Sequence, residues 1–178
     1  MFRTSIEIKA KSTRQEFIHE LLVKHDAEFL GIDHQIDTYF KVPHGRLKLR
    51  EGNIENFLIH YFRENNEGPK KSEITIFKNS PQSSLKVILE KALGVLTIVD
   101  KTRKIYYIEN VKFHLDAIEG LGTFVEIEAL DKSGLISEKQ LEEQCRHYLK
   151  LFEIEESQLV SKSYSDMMLS NVENNSRN

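Results

Sequence analysis

Charged and apolar residues alternate without interruption in three stretches of this chain: Ile6-Glu7-Ile8-Lys9-Ala10-Lys11, Arg46-Leu47-Lys48-Leu49-Arg50 and Phe124-Val125-Glu126-Ile127-Glu128. Side chains of a β-strand point to opposite faces with period two, so each stretch is expected to form a strand with one apolar and one charged face. β-branched and aromatic runs place further strands at 35–42, 57–64 and 73–78, with polar residues 64–69 as the turn between the last two. Residues 95–108 read as one bent strand or two. Strands at 111–116 and 123–130 follow, with Gly120 and Gly122 in the turn before Thr123.

Helical spacing appears in three places. Thr13-Arg14-Gln15-Glu16 has the form of a capping box, and Phe17, Ile18, Leu21, Leu22 and Ala27 continue as an apolar stripe to about Glu28. Ser80-Pro81 is expected to start a second helix, as N-cap and first helical residue, and Gly94 to stop it after Leu93. A second capping-box spacing, Ser137-Glu138-Lys139-Gln140, opens a third helix over 137–152, and a short one is expected near 163–169. The result is an α+β chain of about eight strands and about three main helices. Many strands are consecutive, which favours an antiparallel sheet with helices packed outside. Eight strands close naturally into a barrel.

Parity within the strands groups the charged residues. The sets are Glu7, Lys9 and Lys11; Gln35, Asp37, Tyr39 and Lys41; Arg46, Lys48 and Arg50; Tyr61 and Arg63; Lys101 and Arg103; Lys112, His114 and Asp116; Glu126 and Glu128. A solvated outer sheet face accounts for any one such strand. Two features favour an enclosed face instead. The helical stripes need the apolar side of the sheet to pack against. Like-charged neighbours such as Arg46, Lys48 and Arg50 also repel one another unless an anion sits among them, and a triphosphate fits that cluster better than one carboxylate.

At 178 residues the chain is expected to be one domain over 1–170, followed by a disordered polar tail at 171–178 rich in Asn and Ser. The net charge of −3 gives no bulk attraction to nucleic acid or membrane. The single cysteine, Cys145, excludes an internal disulfide and reads as an ordinary thiol on a helix. The first residues carry no apolar signal region and no run approaches membrane-spanning length, so a cytoplasmic protein is expected. These features are equally compatible with a monomer and a homodimer.

Glu7, Glu126 and Glu128 are hard oxygen donors of the kind Mg²⁺ or Mn²⁺ accepts. Glu126 and Glu128 share a face about 7 Å apart along their strand, although Glu-x-Glu is common in strands. There is no Cys/His zinc pattern, no Gly-rich phosphate loop and no Gly-x-Ser-x-Gly turn. Tyr39, Tyr61 and Tyr107 read as barrel packing, and His114 as a structural residue able to hydrogen-bond Asp116.

Taken in order, these segments resemble the CYTH family of triphosphate tunnel metalloenzymes, which includes class IV adenylyl cyclases and thiamine triphosphatases. Ser5-Ile6-Glu7-Ile8-Lys9-Ala10-Lys11 is similar to its opening Glu-x-Glu-x-Lys signature, with Ser5 in place of the first Glu. Asp37-Thr38-Tyr39-Phe40, Gly45-Arg46-Leu47-Lys48-Leu49-Arg50, Tyr61-Phe62-Arg63 and Lys101-Thr102-Arg103 resemble its later strands. So do His114-Leu115-Asp116, the run from Gly120 to Glu128, and Ser163-Tyr164-Ser165-Asp166. The resemblance implies an eight-stranded antiparallel barrel with a charged lumen.

It further implies triphosphate contacts at Lys9, Lys11, Arg46, Lys48, Arg50, Arg63, Lys101 and Arg103. The metal ligands it implies for Mg²⁺ or Mn²⁺ are Glu7, Glu126 and Glu128, with Asp37 and Asp116 as further candidates. Lys9 and Glu7 become the candidates for proton transfer and water activation. Hydrolysis of a triphosphate and cyclisation of ATP both fit that lumen, with hydrolysis the first expectation. A non-catalytic polyphosphate or nucleotide binder is the alternative that Ser5 raises.

Overall fold

The computed structural model describes residues 2–63, 70–131 and 134–175, and the side chains of 5–62, 74–131 and 134–172. Eight strands form one sheet: β1 (Phe2–Lys11), β2 (Glu28–Phe40), β3 (Arg46–Gly52), β4 (Phe57–Arg63), β5 (Lys70–Lys78), β6 (Val95–Ile108), β7 (Val111–Ile118) and β8 (Gly122–Asp131). Their order is β1-β5-β4-β3-β2-β6-β7-β8, every pairing is antiparallel, and β8 pairs back onto β1, so the sheet closes into a barrel. The turn expected at 64–69 lies outside the described residues.

Closure decides what parity alone left open. The apolar face of β1, β7 and β8 turns outward, where Ile6, Ile8, Phe113, Leu115 and Ile127 pack against Ile18 and Leu22 of α1 (Gln15–Lys24) and Leu141 and Cys145 of α3 (Glu138–Leu151). Covering that face leaves the alternate, charged positions only the barrel interior. The coverage is one-sided. Helix α2 (Leu85–Leu93) buries none of its residues, and Ile32, Phe62, Phe77 and Ile98 stay exposed on the opposite wall.

Several boundaries differ from the sequence reading, each for a local reason. Thr13 does not cap α1: the helix starts at Gln15, while the Ser12 hydroxyl accepts from the Arg14 N–H at 3.2 Å. β2 starts at Glu28 and pairs with β6 along its whole length, with irregularities between Phe29 and Gly31 and between Tyr39 and Phe40. Ser80-Pro81 forms a turn rather than a helix start, because Gln82 sits at φ +63°, outside the right-handed helical region. Gly94, at φ +74°, ends α2 as expected, and the Ser137–Gln140 capping box of α3 is formed. The last helix, α4 (Tyr164–Asn175), is longer than expected and runs past Asn171, where a disordered tail had been expected. Its Met167 and Met168 pack on the cluster of Tyr39, Ile59, Tyr61 and Phe124, which gives a polar sequence an apolar anchor. Among the described residues no helix is long and apolar enough to cross a membrane.

Candidate active site

The inward positions line a cavity of about 410 Å³. Its wall has two chemistries. β1, β3, β6, β7 and β8 contribute Glu7, Lys9, Lys48, Arg50, Lys101, Arg103, Lys112, Glu126 and Glu128. β4 and β5 contribute Phe57, Ile59, Tyr61, Ile74 and Ile76, with Lys78 at the end of β5. Tyr39 and Tyr107 also line it, with Lys48 Nζ 5.5 Å from the Tyr39 ring centre and Lys112 Nζ 5.6 Å from that of Tyr107. These rings therefore face the cations as well as pack.

Three buried carboxylate networks hold the cations. In the first, Asp37 stands directly opposite Arg50 in the β2–β3 register. It accepts from Arg50 Nε at 2.8 Å and Nη2 at 3.0 Å, from Lys48 Nζ at 2.9 Å, and from Lys101 Nζ. Burial alone would raise the Asp37 carboxyl, but Arg50, Lys101 and Lys48 outweigh it and hold it well below the usual carboxylate range. The repulsion among basic residues of β3 is thus relieved from inside the protein, by Asp37 for Lys48 and Arg50, and by Asp166 for Arg46 (Nη2 to Oδ2, 2.9 Å). The sequence alone had suggested an external anion. Burial drives the Lys101 ammonium down to about 7; Asp37 opposes this, and the cations Arg50, Arg103 and Lys48 reinforce it.

In the second network Arg103 forks onto Asp116, with Nε donating to Oδ1 at 2.6 Å, and its Nη2 also donates to Glu126 Oε2 at 2.7 Å. Glu126 Oε1 lies 3.0 Å from Lys9 Nζ, and Oε2 lies 3.1 Å from His114 Nδ1. His114 therefore pairs with Glu126, not with Asp116 as its parity had suggested. Asp116 instead accepts from the Tyr164 hydroxyl at 2.8 Å. Burial, then Arg103 and Lys112, push the His114 imidazole down to about 3 against the pull of Glu126, so it is neutral at pH 7 and donates through Nδ1. Lys9 Nζ also sits 3.7 Å over the Tyr164 ring. The third network centres on Glu55, which accepts from Arg50 Nη1 at 2.8 Å and from Lys112 Nζ.

The remaining carboxylates form a separate feature. Glu7 and Glu128 are direct neighbours in the β1–β8 register. Burial raises the Glu128 carboxyl, and Glu7 and Glu126 add to this against Lys112 and the Ser5 hydroxyl. Like-charge crowding of hard oxygen donors is the condition a divalent cation relieves, so Glu7 and Glu128 fit Mg²⁺ or Mn²⁺. The Glu126 oxygens already serve Lys9, Arg103 and His114. Among the described residues no three His, Cys, Asp or Glu side chains form a ready metal cluster, so water and substrate oxygens would complete the shell.

Of the other expected contacts, Lys11 is exposed at the end of β1 and Arg46 lies beside α4 rather than on the cavity wall. The backbone of Arg63 follows inward parity opposite Ser72, and its side chain lies outside the described residues. Glu55, Tyr164 and Asp33 carry roles the sequence reading did not assign. Asp33 shares the parity of Gln35 and Asp37 and would have joined their set had β2 been started at Glu28. Glu55 sits in a turn, where no periodicity marks it.

The CYTH domain model matches residues 3–164. The curated protein MJ0240 of Methanocaldococcus jannaschii, whose name proposes an adenylate cyclase, is 28% identical over 178 residues, covering 91% of this chain and 97% of that one. The PH1012 protein of Pyrococcus horikoshii OT3 superposes with a TM-score of 0.75 at 23% identity, over 91% of this chain and 98% of its own. HpAC1 of Hippeastrum, a proposed adenylyl cyclase described as having a dominant triphosphatase activity, gives a TM-score of 0.62 at 17% identity over 95% and 96%. With the family match spanning nearly the whole barrel, the chain belongs to the CYTH domain family.

Proposed function

We propose that this chain is a metal-dependent phosphohydrolase acting on substrates with a triphosphate tail: tripolyphosphate, a nucleoside triphosphate or thiamine triphosphate. One observation carries the reading. Lys9, Lys48, Arg50, Lys101, Arg103 and Lys112 reach from four strands into one enclosed volume beside the Glu7–Glu128 pair. Each is held by an internal carboxylate, so the cations are oriented before any ligand arrives and need little reorganisation as charge develops on phosphoryl oxygens. Glu7 and Glu128 would hold Mg²⁺ or Mn²⁺, which neutralises phosphoryl charge when bound. Arg103 and Lys9, fixed by Glu126, grip the phosphate chain, and Glu7 orients the attacking water. Water attack on the terminal phosphorus releases orthophosphate. The water's proton passes to the Glu7 carboxylate that orients it.

A second reading has its own support. The apolar wall of Phe57, Ile59, Tyr61, Ile74 and Ile76 offers nothing to a bare polyphosphate but suits an organic group, and the M. jannaschii relative is named for adenylate cyclase. In that case the 3′-hydroxyl of bound ATP attacks its α-phosphorus and pyrophosphate leaves. The purified protein is tested with Mg²⁺ or Mn²⁺ and, separately, tripolyphosphate, ATP and thiamine triphosphate. Phosphate release supports hydrolysis. Cyclic AMP with pyrophosphate replaces it with the cyclase reading, and tight binding without turnover under either metal leaves a binding protein.

A further inference from the structure

The turn between β3 and β4 does something surface turns rarely do: it sends a carboxylate into the barrel. Glu55 is 8% exposed, and its side chain lines the cavity at the end opposite α4. From there it reaches two strands that are not neighbours, β3 through Arg50 and β7 through Lys112, with β2 and β6 lying between them.

The turn is built to hold it there. Asp33, fully buried, accepts the backbone N–H of Ile54 at 2.9 Å and of Glu55 at 3.0 Å. Gln35 Nε2 bridges Asp33 Oδ2 at 2.7 Å and Glu55 Oε2 at 3.1 Å. Gly52 is required by close approach, because a Cβ there would stand 2.7 Å from Asp33 Oδ1 and 2.8 Å from the Glu55 carbonyl oxygen. The Asn56 amide closes the turn by donating to the Gly52 carbonyl at 2.8 Å. Burying a carboxylate costs several kcal/mol unless its partners are in place, and here every partner is provided. Arg50 and Lys112, after burial, fix its charge state: they hold it ionised, far below the usual carboxylate range.

We propose that Glu55, positioned by Asp33, is an electrostatic end-stop that sets the length of phosphate chain the lumen accepts. The inference rests on the functional reading above. Ser163 and Tyr164 line the lumen beside the start of α4, and a chain lying along Lys9, Arg103 and Lys48 that lengthens away from them approaches Arg50 and Lys112. Glu55 sets its own negative charge between those two cations, and that charge repels the next phosphate. Removing the charge releases Lys112, leaves Arg50 on Asp37 alone and makes that end more positive.

The test is isothermal titration of the intact chain with inorganic tripolyphosphate and tetrapolyphosphate, in wild type, Glu55→Gln and Asp33→Asn. Wild type is expected to bind the tetraphosphate no more tightly than the triphosphate. Glu55→Gln is expected to raise the tetraphosphate-to-triphosphate affinity ratio at least about tenfold, the scale of one like charge removed at close range. Asp33→Asn keeps the Glu55 charge but loosens the turn, and should shift the ratio in the same direction by less. It also provides the readout if Glu55→Gln does not fold. An unchanged ratio in the folded variants, with both ligands binding, overturns the end-stop and leaves the functional reading standing. Binding of neither ligand by any of the three proteins overturns both.

Discussion

Replacing Asp37 by Asn takes one negative charge from the centre of three cations and changes little in shape. The carboxylate is 1% exposed and meets Lys48 at 2.9 Å, Arg50 at 2.8 Å and Lys101. At an effective dielectric of about 20 each close pair supplies roughly 5 kcal/mol of gross attraction, and desolvation takes back several kcal/mol per ion. Breaking such a buried cluster from one side is expected to cost about 3–5 kcal/mol, a large share of the roughly 5–15 kcal/mol that holds a typical domain folded. The assay is urea unfolding at pH 7, with and without tripolyphosphate. A bound polyanion restores the missing charge, so tripolyphosphate should stabilise D37N by more than it stabilises the wild type. If Asp37 serves a metal instead, Mn²⁺ alone should stabilise the wild type selectively. The pH condition follows from linkage. The folded value of Asp37 lies below its unfolded value, so its contribution is complete above about pH 4 and is lost only as the pH falls through the folded value. A loss below about 1 kcal/mol, or equal stabilisation of both proteins by tripolyphosphate, would refute the reasoning.

Three further predictions use other parts of the lumen. His114 is pushed down to about 3 when folded, against an ordinary value of 6.5, so between those values the unfolded chain binds the extra proton and stability falls with falling pH. Its share approaches about 1.4 kcal/mol per pH unit, and denaturant melts of His114→Asn should show a flatter slope than those of the wild type between pH 6 and 4.5, the carboxylates common to both proteins cancelling in the comparison. Phe57→Ala should raise KM for ATP about tenfold, the scale of one lost aromatic contact, and leave tripolyphosphate unchanged; equal effects would remove the apolar wall from recognition. Glu126→Gln removes the anion that Lys9, Arg103 and His114 share, leaving Arg103 on Asp116, and should lower metal-dependent kcat at least about 10²-fold. Lys48→Ala, on the cavity wall, should instead weaken binding with kcat retained, and wild-type kinetics in both would displace the site from the lumen.

The alternation in β1, β3 and β8 was enough to define strands, and parity sorted the charged residues into sets that share the inner face, from Glu7 and Lys9 to Glu126 and Glu128. That worked because a strand's period is fixed by backbone geometry and needs no partner. Which face is inside is a different kind of fact. It depends on β8 pairing with β1, more than a hundred residues away in sequence, and on α1 and α3 covering the outer side. The partnerships within the lumen are likewise non-local. Asp37 serves three cations from two strands, His114 turns to Glu126 rather than Asp116, and Glu55 leaves an unpatterned turn to join β3 to β7. Side-chain periodicity carries the direction in which a residue points. Only closure of the barrel decides what it meets there, because the meeting points are set by register between strands that the chain order keeps apart.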